Sequence, residues 1–71
     1  MNPLGIALVG TGPGALPHLR SLHDLRVMAP LRRVVTRRPE AAQLGPFHGE
    51  LQPSSDFQAM LEDTQVQAVI I

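Results

Sequence analysis

Seventy-one residues is about half of an ordinary domain, since chains devote roughly 100 to 200 residues to each. Six arginines, with no lysine, balance six acidic residues, so the formal charge is zero and no net field recruits nucleic acid or an anionic membrane. Leu, Ile, Val and Phe supply 21 of the 71 residues, enough for a core, and the absence of cysteine removes disulfide scaffolds, thiolate metal sites and cysteine nucleophiles.

The opening apolar run, Ile6 to Val9, is far shorter than a signal core or the ~20 residues of a membrane span, and a cytoplasmic location is expected. Leu4 to Val9 is nearly continuous in its apolar character and ends at Gly10, the pattern of a strand buried on both faces. From Pro13 onward Ala15, Leu19 and Leu22 recur at i, i+4 and i+7, with Leu16 and Leu25 beside them, which predicts a helix with one apolar stripe. Pro13 and Pro17 are tolerated only near the start of that helix, where backbone N–H groups lack intrahelical partners anyway. Leu31 to Thr36 reads as a second strand, with Arg32 and Arg33 expected at its exposed amino end.

Pro39 followed by Glu40 opens a short second helix that Gly45-Pro46 stops. Phe47 to Leu51 is predicted as a short third strand at a sheet edge, confined by Pro46, Gly49 and Pro53. Ser55 with Gln58 three residues on forms a capping-box pattern, and Phe57, Met60 and Leu61 follow at helical spacing. Val66 to Ile71 is a fourth, β-branched strand. Short apolar strands alternating with amphipathic helices predict an α/β fold built from parallel βαβ units, with sheet order 3-2-1-4.

The first strand runs straight into Gly10-Thr11-Gly12-Pro13-Gly14-Ala15, which fits G-x-G-x-x-G/A with alanine last. Gly10 serves the tight strand-to-helix turn, Gly12 lets backbone approach a pyrophosphate, and Ala15 allows close packing of helix on strand. The following helix start offers N–H groups and a partial positive charge to phosphates. A turn that merely connects strand to helix is the plainer alternative, while a lysine-bearing P-loop is excluded.

At the end of the second strand, where an acidic residue commonly holds the adenosine ribose, stand Thr36, Arg37 and Arg38. A hydroxyl beside a guanidinium suits a 2′-phosphate, which favours NADP over NAD. The alternative is that Arg37 and Arg38 are solvated loop charges pairing with Glu40 or a neighbour. The histidines show no metal-ligand spacing, and His18 reads as a packing residue. Asp56 reads as a first-turn charge, and Glu62 with Asp63 as a solvated turn.

Three segments, GTGPGALPH, VVTRRPEAAQ and SSDFQAMLEDTQVQAVII, together resemble the glucose-fructose oxidoreductase, inositol dehydrogenase and MocA family. The resemblance spans nearly all of the chain. It implies that residues 1–71 are the first part of an NAD(P)-binding Rossmann domain, with a substrate domain to follow. It also implies oxidoreduction of a sugar, cyclitol or related small molecule, and a homo-oligomer for the full-length protein. Gly10, Gly12 and the backbone to Ala15 would then meet the pyrophosphate, with Thr36 and Arg37 at the ribose. The family's catalytic-type lysine has no counterpart here, so no catalytic residue is carried over and the chain alone is expected to be inactive. Ala15 for the usual glycine, Pro13 and Pro17 in the helix, and Gln67 where aspartate is common are departures. VGTGPGAL also resembles the opening of tetrapyrrole methylases, which use S-adenosylmethionine, and a dinucleotide-sensing module without catalysis is a third reading.

Overall fold

A computed structural model describes residues 3–71. Its elements are strand β1 (Ile6–Val9), a 3-10 turn at Pro13–Ala15, helix α1 (Leu16–Asp24), strand β2 (Leu31–Val35), 3-10 turns at Pro39–Ala41 and Gly45–Phe47, helix α2 (Phe57–Glu62) and strand β3 (Ala68–Ile70). The three strands form one parallel sheet in the order β2-β1-β3. The fold is therefore mixed α/β, with the earliest strand in the centre.

Central position explains the composition of β1. Ile6 and Leu8 join α1 and the Leu44 to Phe47 segment in the larger core, while Ala7 turns to the opposite face and meets Val35 and Met60. Both faces are thus covered, as a parallel sheet requires. On α1 the buried face is Leu19 and Leu22, with Ala15 just ahead of it, whereas Leu16 and Leu25 stay exposed.

The register slips between Ile6 and Ala7: Ile6 stands opposite Leu31 and Ala7 opposite Arg33, so β2 carries one extra residue. A bulge of this kind re-aims side chains. It puts Leu31 and Val34, three apart, into the same core, leaves Arg32 exposed, and sends Arg33 to the α2 side. There Arg33 Nε donates to Asp63 Oδ2 at 2.6 Å. Asp63 is therefore a tie between β2 and the end of α2, and the expectation of a solvated turn is corrected.

The four-strand order 3-2-1-4 is also corrected. Residues 47–51 form the end of a 3-10 turn and a further turn, not a strand. Phe47 is drawn into the core, where its ring meets His23 edge-on at 5.6 Å, and Gly49 has a φ of +83° that no extended strand accommodates. On the side of β2 away from β1, the described residues form a single parallel bridge from Val35 to Ser54, made by Ser54 N–H to Val34 O and Thr36 N–H to Ser54 O. The segment expected as the fourth strand is β3, paired to β1. Two helix expectations change as well. The predicted start at Pro13 is a 3-10 turn, with α1 beginning at Leu16, and the cap of α2 is Asp56 rather than Ser55. Asp56 Oδ1 accepts from Ala59 N–H, while Gln58 reaches forward to Glu62 instead of back to the cap.

The Arg33 guanidinium, and next the Gln65 amide, hold the Asp63 carboxyl below the ordinary carboxylate range. A depressed folded-state value contributes stability at neutral pH that is lost as pH falls through it. Urea unfolding is expected to show the wild type losing stability below about pH 4. Asp63→Asn should start less stable at pH 7 and lose less on acidification; parallel acid limbs for the two proteins would contradict the tie.

Candidate functional site

Parallel strands bring their carboxyl ends to one edge, and in open α/β sheets ligands bind in the crevice beyond that edge. Here the edge is formed by Val9, Val35 and Ile70, and the glycine turn leaves it directly. Gly10 donates its N–H to Val35 O at 2.8 Å and has a φ of +94°, a left-handed conformation that side chains resist. Thr11 Oγ1 lies 3.3 Å from Thr36 Oγ1, tying the turn to the end of β2.

Gly12 is different. Its φ of −67° is open to any residue, and a Cβ there would meet no atom within 4 Å beyond its own chain neighbours; the same open space faces Gly14. Neither packing nor the local fold of this chain asks for a small residue at Gly12. The glycines instead leave a bare stretch of main chain at the head of α1, as the approach of a flat or charged group requires.

Three clefts meet there, and Gly12 borders all of them. The first, about 260 Å³, lies toward β3 and is bounded by Gly12, Gly14, His18, Ile70 and Ile71 among others. The second, about 480 Å³, lies toward β2 and is bounded by Thr36, Arg37, Ser55 and Phe57 together with the turn. The third, about 380 Å³, runs between Thr11, Leu16, Ala41 and Gln43. Among the described residues, no Asp or Glu side chain lines any of the three, and His18 and Arg37 are the only side chains there that can carry charge, both cationic when charged.

Of the residues expected from sequence, Gly10, Thr11, Gly12, Gly14, Ala15, Thr36 and Arg37 come together at this edge. Ala15 is buried and gives its N–H to Gly12 O at 2.9 Å, so it closes the turn and packs the helix down. Pro13 opens the 3-10 turn. Arg38 is exposed before the Pro39–Ala41 turn and borders none of the three clefts. Among the described residues neither Arg37 nor Arg38 has an ion-pair partner, so the pairing with Glu40 weighed above is not formed.

The sequence reading missed three contributors. His18 is exposed and lines the β3-side cleft, which corrects its assignment to packing. Ser55 and Phe57 border the β2-side cleft, and Phe57 is 45% exposed although its spacing to Met60 reads as core. Asp56 at the cap was the available signal: a helix starting at Phe57 points its first residue outward past the sheet edge. No group of three His, Asp or Glu among the described residues is placed to hold a metal, and no helix among them is long and apolar enough to cross a membrane. No protein-family model matches the chain, nor does any curated protein or solved structure.

Proposed function

We propose that the chain forms the coenzyme-gripping part of an NAD(P)-dependent oxidoreductase of the glucose-fructose oxidoreductase, inositol dehydrogenase and MocA kind. The single observation that carries the reading is the bare turn at Gly12 and Gly14, where open space stands in place of side chains between two clefts that no Asp or Glu side chain among the described residues lines. A dinucleotide has this shape: a doubly charged middle and a flat ring system at each end. Its diphosphate fits against the main chain of Gly12 and Gly14, where a Cβ would intrude.

On the β2 side, Phe57 and Ser55 offer an aromatic face and a hydroxyl, and Arg37 with Thr36 offers donors along the same cleft. A guanidinium matches phosphate oxygens with a rigid fork of N–H groups, so a 2′-phosphate, and hence NADP, is favoured. The hydride chemistry, between nicotinamide C4 and a carbinol or carbonyl carbon, is the coenzyme's own. This chain's residues bind and orient; the small-molecule substrate class, a sugar, cyclitol or relative, follows from the resemblance.

Titration with NADPH and NADH, followed by fluorescence, tests the reading. NADPH is expected to bind about tenfold more tightly than NADH, and Arg37→Ala to erase that difference while leaving NADH affinity within about twofold. An unchanged preference removes Arg37 from the site. Binding of S-adenosylmethionine in place of both coenzymes overturns the reading altogether.

A further inference from the structure

We draw no further inference here: the strongest candidate, the apolar surface that Phe57 and Leu61 of α2 and Val69 of β3 leave exposed on the α2 side of the sheet, carries nothing because no feature of the structure shows what covers it.

Discussion

Gly12→Asp is expected to leave the fold intact and remove coenzyme binding. The position has a φ of −67° and ψ of −177°, ordinary for an L-residue, and nothing beyond its own chain neighbours lies within 4 Å of the new Cβ. It also precedes the Pro13–Ala15 turn, where aspartate is as good a cap as glycine to within a few tenths of a kcal/mol. Thermal and urea unfolding should therefore match wild type. Binding should not survive, because the carboxylate occupies the cradle and faces a diphosphate. Two like charges about 4 Å apart at an effective dielectric near 20 repel by about 4 kcal/mol, so a loss of about a hundredfold or more in NADPH affinity is expected. A folded Gly12→Asp protein with wild-type affinity would mean that the turn is only a connection.

Gly5→Ala should do the reverse, damaging the fold from a position far from the clefts. Gly5 sits just ahead of β1, and a Cβ there would stand 1.7 Å from the Gln65 carbonyl oxygen and 2.9 Å from its carbon. The obstacle is backbone, so the only relief is for the 64–67 turn to move away. That turn is fastened to Gly5 twice and the start of β3 once: Gly5 N–H donates to Gln67 Oε1 at 2.7 Å, and Gly5 O accepts from Gln67 N–H at 2.9 Å and Ala68 N–H at 3.2 Å. Moving it frees β3 from β1. Overpacking of this kind costs about 1 to 3 kcal/mol, and each hydrogen bond lost adds about 1. A chain of this length holds about 4 to 10 kcal/mol in all. Urea unfolding should lose most of its cooperative transition, and hydrogen exchange should show the 68–70 amides unprotected; full protection there would contradict the steric account.

These two glycines also mark how far the residues alone lead. The strand-turn-helix order around Gly10 to Ala15 was legible because it is local: an apolar run, a glycine pattern and an apolar stripe each have a short sequence period. Phe47 to Leu51 misled because its apolar residues carry no sign of where they are needed, and Phe47 is needed under α1 beside His23 rather than at the sheet edge. Asp63 and Arg33, 30 residues apart, could not be paired without the bulge that turns Arg33 toward α2. The clefts were half legible. Thr36 and Arg37 follow a strand at a predictable place, whereas His18, Ser55 and Phe57 join the site only because α1 and α2 begin near the same edge. Gln67, noted as a departure where aspartate is common, turns out to cap the Gly5 amide and to donate to Thr64 O, a structural role that its place in a motif did not disclose.

The most direct measurement follows the backbone amides of the ¹⁵N-labelled chain while NADP⁺ is added. The largest shifts are expected at Gly10, Gly12 and Gly14, with Thr36 and Arg37 next, and the amides of the Leu25 to Met28 turn, at the opposite end of α1, unmoved. Saturable shifts confined to that far turn, or none anywhere at millimolar NADP⁺, would contradict a dinucleotide held against the bare main chain.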